Sequence, residues 1–334
     1  MNKRKRTFEL KTKPKILSGY TVVGPKEGDG ALGEYFDKVL TDDLFGEKTY
    51  ELAESKMQQE AVKEALKRSG ISKEEIDLTV SGDLLNQIYA SCFAARELET
   101  AFLGLYGACS TFGESLIVAS LLINTGMIEK CCCSTSSHFS SAERQYRYPL
   151  ELGNQRPPTS QWTVTGAGAS ILSADGDGVS IDKVTIGRVI DFGIDDVNNM
   201  GAAMAPAAAD TISAFFGESG EKPEDFDMIV TGDLGRYGGE LLLKLLYEKN
   251  INISKVYHDC GAMIYKPEQQ TYQGGSGAGC CNVVFNAFIA NKMVKKELKK
   301  VLLVPTGALL SKDSPLQGQT IPGIAHAISF RAPE

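Results

Sequence analysis

One cysteine carries the clearest chemical signal in this sequence. Cys109 lies among small residues, in Gly-Ala-Cys-Ser-Thr at 107–111, and a nearly continuous apolar run from Glu114 to Met127 follows it. A helix that is apolar on every side belongs inside a sizeable protein. The sequence therefore predicts a buried helix with Cys109 at its start. The free N–H groups and partial positive charge at a helix start favour an anion, so the position suits a nucleophilic thiolate or a bound carboxylate.

The whole chain has the composition of a globular protein large enough for two similar halves. Its 334 residues are 43% hydrophobic and 23% charged, and the net charge of −7 argues against nucleic-acid binding. No apolar run reaches the ~18 residues of a membrane span, and no signal-peptide core follows the N-terminus. We expect a soluble, cytoplasmic protein. Eight cysteines, including 131–133 and 280–281, lack metal-ligand or secretory spacing, which predicts buried, reduced thiols.

The N-terminus carries one dense basic block. It reads Lys-Arg-Lys-Arg at 3–6 and is continued by Lys11, Lys13 and Lys15. A solvated tail is one interpretation, and contact with an anionic membrane surface is the other.

The order of elements predicts an α/β fold that repeats itself. A helix is expected over 50–69, followed by a capping box at Ser72 and Glu75 and a strand ending in Ser-Gly-Asp-Leu at 81–84. Thr-Gly-Asp-Leu at 231–234 repeats that ending, and the glycine-rich run 274–279 takes the place of the Cys109 loop. An apolar helix over 283–294 and a buried strand over 300–305 then follow. Four matching elements in the same order indicate a duplicated unit, with halves 1–175 and 176–334.

Paired halves around buried helices, with Gly-Ala-Cys-Ser at the start of the first helix, resemble the thiolase superfamily, which includes the ketoacyl-synthase condensing enzymes. The resemblance implies a five-layered αβαβα fold, a homodimer and a cysteine that accepts an acyl group. The partners of that cysteine are missing. Where related condensing enzymes have His-Gln-Ala-Asn after a strand, this chain has Gly-Asp-Leu-Gly at 232–235, and Gly-Gly-Ser-Gly at 274–277 replaces their Gly-Asn-Thr-Ser.

Several longer stretches resemble the stage V sporulation protein AD family of endospore-forming bacteria. They include Gly-Asp-Leu-Leu-Asn-Gln at 82–87, Ala-Glu-Arg-Gln-Tyr-Arg-Tyr-Pro at 142–149, Met-Ala-Pro-Ala-Ala-Ala-Asp at 204–210 and Thr-Gly-Ala-Leu-Leu-Ser at 306–311. This resemblance implies a non-catalytic protein without a cofactor. It would bind dipicolinic acid or calcium dipicolinate and support uptake into the developing spore, together with the SpoVA membrane proteins at the spore inner membrane.

The candidate ligand-binding residues are those predicted near the old acyl pocket. They are Cys109, His138, His258, His326, Asp83, Asn86, Arg144 and Arg147. Each histidine alone suits a structural role, but the resemblance places all three near loops around one cavity, so we expect at least one to contact the ligand. Arginine suits carboxylate recognition. Asp83 and Asp233 occupy equivalent turns, and for Asp233 we favour a purely structural role. No spacing supports a metal site.

An active acyltransferase or condensing enzyme is the main alternative function. It would use Cys109 as nucleophile and recruit His138, His258 or His326 as a new base. A pure scaffold for membrane partners, with a vestigial pocket, is the third possibility.

Overall fold

The structure is a computed structural model that describes residues 5–146 and 155–334. Arg147, one of the candidate site residues, lies outside the described residues.

Strands occur along the whole described chain. They are β1 (Thr7–Glu9), β2 (Lys15–Val23), β3 (Lys38–Val39), β4 (Leu78–Gly82), β5 (Phe102–Gly104), β6 (Lys130–Ser137), β7 (Trp162–Thr163), β8 (Gly166–Ser173), β9 (Val179–Thr185), β10 (Met228–Thr231), β11 (Tyr257–Asp259), β12 (Gly275–Ser276), β13 (Lys300–Val304), β14 (Thr306–Ala308), β15 (Gly323–Ala325) and β16 (Ala327–Arg331).

Helices alternate with these strands. They are α1 (Pro25–Gly28), α2 (Tyr50–Ser69), α3 (Tyr89–Leu98), α4 (Thr111–Asn124), α5 (Phe139–Tyr146), α6 (Met200–Ser219), α7 (Gly235–Tyr247), α8 (Cys260–Ile264), α9 (Cys280–Val284) and α10 (Ala290–Val294), with a π-helical turn at Phe285–Ile289 joining the last two.

Helix α2 shows how local sequence sets these boundaries. The Thr49 side chain accepts a hydrogen bond from the Leu52 N–H and caps the start, and Gly70, with φ of 72°, ends the helix in a left-handed turn. Met57 and Ala61 lie on the buried face. The predicted span of this helix is confirmed.

The strands form two five-stranded sets with the same order. The first set runs β5-β4-β6-β8-β2 and the second runs β11-β10-β13-β16-β9. In each set the first two pairings are parallel and the next two are antiparallel. The sets join where Lys15 and Ile16 of β2 pair with β9. The chain therefore builds the same sheet twice.

Two aspartates repeat this symmetry in atomic detail. Asp77 precedes β4, and its Oδ2 accepts hydrogen bonds from the Glu129 and Lys130 N–H groups at 2.8 and 2.9 Å. Asp227 precedes β10, and its Oδ2 accepts from the N–H groups of residues 299 and 300 at 2.7 and 2.9 Å. Each carboxylate fixes the start of the neighbouring strand, at the same place in both halves.

The hydrophobic core separates the chain into five layers. One cluster fills the space between the two five-stranded sets and contains Phe112 and Leu116 of α4 and Val283 of α9. A second cluster packs α6 and α7 on the outside of one sheet, and a third packs α2 on the outside of the other. The five-layered αβαβα fold expected from the resemblance is confirmed, and the buried cysteine triplet 131–133 lies within it.

The described part of the basic N-terminus is attached to the protein. The N–H groups of Arg6 and Thr7 donate to Glu218 Oε2 at 2.8 and 2.7 Å, and the Arg6 side chain pairs with Asp210. From Arg6 onward the segment is therefore not a free tail, although the Lys11 and Lys13 side chains are exposed. Among the helices of the described residues, none combines the length and apolar character needed to cross a membrane.

Candidate functional site

Cys109 lies in a tight turn that leads directly into α4. The Ser110 N–H and hydroxyl both donate to the Gly107 carbonyl, at 3.0 and 2.7 Å, and the Thr111 hydroxyl donates to the Ala108 carbonyl at 2.7 Å. Ala108 has φ of 52°, a left-handed conformation that costs a residue with a Cβ about 1–2 kcal/mol. Such strain collects at functional sites. The turn thus holds Cys109 in one fixed orientation at the head of the buried helix.

A narrow cavity of about 40 Å³ lies beside Cys109. Its walls come from both halves of the chain and are mostly apolar. They are formed by Leu84, Tyr106, Ala108, Cys109, Ala142, Tyr146, Thr163, Met200, Ser276, Ala308 and Leu310. These lining residues include no lysine, arginine or histidine. Since one water needs about 10–15 Å³, the cavity is large enough for a few waters in this conformation.

Two tyrosines close the cavity toward the surface. The hydroxyl oxygens of Tyr106 and Tyr146 lie 2.6 Å apart, and the Tyr146 hydroxyl donates to the Leu84 carbonyl. Tyr106 is 44% exposed and both tyrosines line the cavity, so the pair narrows its opening to solvent. A ligand larger than a few waters requires the two rings to move apart.

Asp233 lies directly behind Ser276 and is almost fully buried. Its Oδ2 accepts hydrogen bonds from the Ser276 hydroxyl at 2.9 Å and the Gly277 N–H at 3.1 Å, and its Oδ1 accepts from the Thr306 hydroxyl at 2.8 Å. Burial raises the pKa of Asp233 to about 6, while these donors and the Cys109 thiol oppose the rise. At neutral pH the carboxylate is therefore mostly ionised, within a largely apolar site.

The Cys109 thiol is held in its neutral form. Burial raises its pKa well above the ordinary value, and the charge of Asp233 adds to the rise. Its sulfur lies 3.6 Å from the Ser276 hydroxyl oxygen. Of the two possibilities at the helix start, a thiolate or a bound carboxylate, the thiolate is therefore disfavoured, because desolvation and a neighbouring carboxylate outweigh the helix dipole.

His138 and His326 are engaged in structural contacts away from the cavity lining. His138 Nδ1 accepts from the Ser140 N–H at 3.2 Å, so its Nε2–H donates to the Asp43 carbonyl at 2.8 Å. His326 Nδ1 accepts from the Gly187 N–H at 3.2 Å, and its Nε2 faces Glu114 Oε1 at 3.3 Å. Both nitrogens of each ring thus have protein partners.

His258 lies in the middle of β11, the outermost strand of the second sheet, and is exposed. The expectation that the loops of the three histidines meet around the Cys109 cavity is therefore not met, since none of the three lines it. Their pattern along the chain does not encode which side of a strand or helix each side chain faces.

The other described candidates, Asp83, Asn86 and Arg144, do not line the cavity. Asp83 is buried and accepts hydrogen bonds from the Leu85 and Ser91 N–H groups, both at 2.8 Å, which fixes the turn after β4. Asn86 and Arg144 line a separate surface depression, where Arg144 forms an ion pair with Glu51 at 2.8 Å. The structure thus brings Asn86 and Arg144 together, but at a distinct depression.

Sequence reasoning missed the residues that shape the cavity most. The sequence favours a structural role for Asp233, yet its carboxylate lies against Ser276 and Cys109. The available signal was its position: it follows β10, where related condensing enzymes carry the His-Gln-Ala-Asn motif. Ser276, Tyr106 and Tyr146 carry no comparable signal, because only the packed fold brings them to Cys109.

The layered fold and the buried cysteine before a central helix define the thiolase-like class, and solved structures share that fold. The 3-oxoacyl-[acyl-carrier-protein] synthase III of Aquifex aeolicus VF5 aligns at a TM-score of 0.60 with 16% identity, covering 95% of this chain and 99% of its own. Cerulenin-bound OleA of Xanthomonas campestris aligns at a TM-score of 0.62 with 15% identity, covering 95% of this chain and 96% of its own.

Sequence comparison then places the chain within this class. Residues 4–331 match the family described as stage V sporulation protein AD. The stage V sporulation protein AD of Bacillus subtilis (strain 168) is 42% identical over 315 residues, covering 94% of this chain and 93% of that protein. This chain belongs to the stage V sporulation protein AD family, and it is a sporulation protein with a thiolase-like fold.

Proposed function

We propose that this protein binds dipicolinic acid, or its calcium chelate, in the cavity beside Cys109 and supports its uptake into the developing spore. It acts without acyl transfer. Family membership and the resemblance of the cavity to a thiolase acyl pocket support dipicolinic acid, or its calcium chelate, as the ligand. The membrane proteins of the SpoVA group are its partners at the spore inner membrane, and the protein works as a homodimer.

The state of Cys109 is the observation that carries the non-catalytic part of this proposal. Acyl transfer needs a thiolate and donors that stabilise the developing oxyanion, and loss of one such donor costs about 10²–10³ in rate. Here burial and Asp233 raise the pKa of the Cys109 thiol. The three histidines do not line its cavity. A pocket that keeps its shape without a histidine to act as base is suited to binding.

The cavity walls suit a small, flat, aromatic ligand once the tyrosine pair opens. Leu84, Ala142 and Ala308 offer apolar surface, and Tyr106 and Tyr146 offer ring faces for stacking. Small-molecule sites usually combine such walls with a few polar groups and measure about 300–1,000 Å³ when occupied. Ligand binding therefore includes displacement of at least one tyrosine.

Calorimetry tests the binding site. Titration of calcium dipicolinate into the wild type is expected to saturate. Ala142→Leu, which fills the cavity from α5, is expected to weaken binding at least about tenfold. Cys92→Ala, at an exposed cysteine outside the cavity, is the matched control and should bind as the wild type does. Ala308→Val provides a second cavity-filling variant. Saturable binding that is unchanged in both filled variants would refute the cavity as the site.

Catalysis remains the alternative function, and one observation favours it. Asp233 is a carboxylate with a pKa of about 6 next to a buried thiol, which is the placement a general base needs. Incubation with acyl-coenzyme A thioesters followed by intact-protein mass spectrometry separates the two functions. We expect no acyl adduct on Cys109. An adduct that forms and then turns over would establish the enzyme.

A further inference from the structure

The polar side chains that line the Cys109 cavity direct their protons away from it. The Ser276 hydroxyl donates to Asp233 Oδ2 at 2.9 Å, and the Thr163 hydroxyl donates to Glu143 Oε1 at 3.4 Å. Neither hydroxyl therefore has a proton left to donate into the cavity. A ligand that meets these two residues meets hydrogen-bond acceptors.

In the closed pair at the cavity mouth, the protons of both tyrosine hydroxyls are also engaged in hydrogen bonds. The Tyr146 hydroxyl donates to the Leu84 carbonyl, so the Tyr106 hydroxyl, 2.6 Å away, donates to Tyr146. Displacing a tyrosine frees its proton, whereas the Ser276 and Thr163 protons stay committed to Asp233 and Glu143 and offer an ionised carboxylate no donor. The wall suits a ligand that brings a cation or a proton of its own.

The charge behind this wall is negative. Asp233 is buried within hydrogen-bond distance of the cavity residue Ser276, and the lining residues include no basic side chain. Acidic groups from four neighbouring elements act on Asp233 or are acted on by it. They are Cys109 from the turn before α4, Asp259 from β11, Cys260 from α8, and Cys280 and Cys281 from α9.

Asp259 adds its own charge without relieving that of Asp233. Its two carboxylate oxygens are occupied by the Thr231 hydroxyl and by the N–H groups of Leu234, Gly235 and Ala262. A dianion entering the cavity therefore approaches an uncompensated negative site. At an effective dielectric constant of about 20, two unit charges about 6 Å apart weaken binding by roughly a hundredfold.

We propose that Asp233 determines which charge state of the ligand the cavity accepts: the neutral calcium chelate binds as it is, whereas the free dianion binds only together with one proton taken up by Asp233. This inference rests on the proposed function. In the chelate, the two positive charges of calcium cancel the two negative charges of dipicolinate. Calcium takes six to eight oxygen ligands, so its remaining positions also suit an acceptor-lined wall.

Calorimetric titration at a series of pH values between 6 and 8.5 tests the proposal. Dipicolinate with a chelator of calcium, and preformed calcium dipicolinate, are each titrated into the wild-type protein and into Asp233→Asn. In the wild type, affinity for free dipicolinate is expected to fall about tenfold per pH unit, and affinity for the chelate to stay constant. In Asp233→Asn both affinities are expected to be independent of pH, with free dipicolinate bound at least about tenfold more tightly than by the wild type at pH 8.

Asp227→Asn is the matched control, since Asp227 lies near the opposite end of the same strand and fixes a backbone turn. It should keep the wild-type pH profile. A second measurement uses the wild type alone: titrations in buffers with different ionisation enthalpies should report about one proton taken up with free dipicolinate at pH 7.5, and none with the chelate.

The outcomes separate this inference from the proposed function. Saturable, pH-independent binding of both forms by the wild type, without proton uptake, would overturn the role of Asp233 and leave ligand binding intact. Failure of both forms to bind the wild type would overturn the proposed function itself.

Discussion

The reactivity of Cys109 gives the sharpest prediction about this site. A thiol with an ordinary pKa near 9 is about 10% thiolate at pH 8, and each further unit lowers that fraction about tenfold. Burial, then the charge of Asp233, raise the pKa of Cys109 well above this value. Its side chain is also only 5% exposed behind the tyrosine pair. We therefore expect iodoacetamide at pH 8 to alkylate Cys109 at least about 100-fold more slowly than the exposed Cys92.

The assay is a time course of alkylation read peptide by peptide by mass spectrometry, with the unfolded protein as the reference for equal reactivity. Asp233→Asn should speed the labelling of Cys109 by no more than about tenfold, since burial is the larger cause of the raised pKa. Labelling of Cys109 in the wild type at pH 8 as fast as that of Cys92 would refute this reasoning, because only an accessible thiolate reacts in that way.

Three further predictions concern stability. Burial raises the pKa of Glu27 to about 7 from 4.5, so the free energy of unfolding of the wild type should fall by about 3 kcal/mol as the pH rises from 4.5 through 7. In urea unfolding between pH 5 and 8, Glu27→Gln should lose less stability than the wild type, and equal losses would contradict this. Gly307→Ala puts a Cβ 2.3 Å from a backbone oxygen of the turn before α4 and should reduce stability by ~1–3 kcal/mol. Gly217→Ala, whose Cβ would meet nothing within 4 Å, should cause no loss, and equal thermal shifts for the two variants would refute the clash. Asp77→Ala and Asp227→Ala should each cost about 1–2 kcal/mol, and a cost for only one would contradict their equivalence.

Much of the fold follows from local sequence signals. The span of α2 follows from its apolar spacing and from Gly70, and the capping box at Ser72 and Glu75 is present as predicted. The repeated Gly-Asp-Leu turns follow β4 and β10, which occupy the same place in the two sheets. These features depend on a few neighbouring residues, and so a single sequence reveals them.

The site was less predictable because it depends on contacts between distant segments. Cys109, Ser276 and Asp233 meet only after the two halves pack, and the position of Asp233 after β10 hints at the site without indicating that its carboxylate faces a thiol. For the histidines the error is the reverse, because sequence position predicts a cavity contact that the fold does not form. Loop position suggested a shared cavity, but His138 and His326 face backbone and carboxylate partners elsewhere. Side-chain direction is set by tertiary packing.

A crystal structure of the protein grown with calcium dipicolinate tests the central claim most directly. The account predicts the ligand ring beside Cys109, between Ala142 and Ala308, with the Tyr106–Tyr146 contact opened and no covalent bond to the sulfur. Ligand found only in the depression beside Arg144, or a Cys109 cavity that stays closed at saturating ligand, would contradict it.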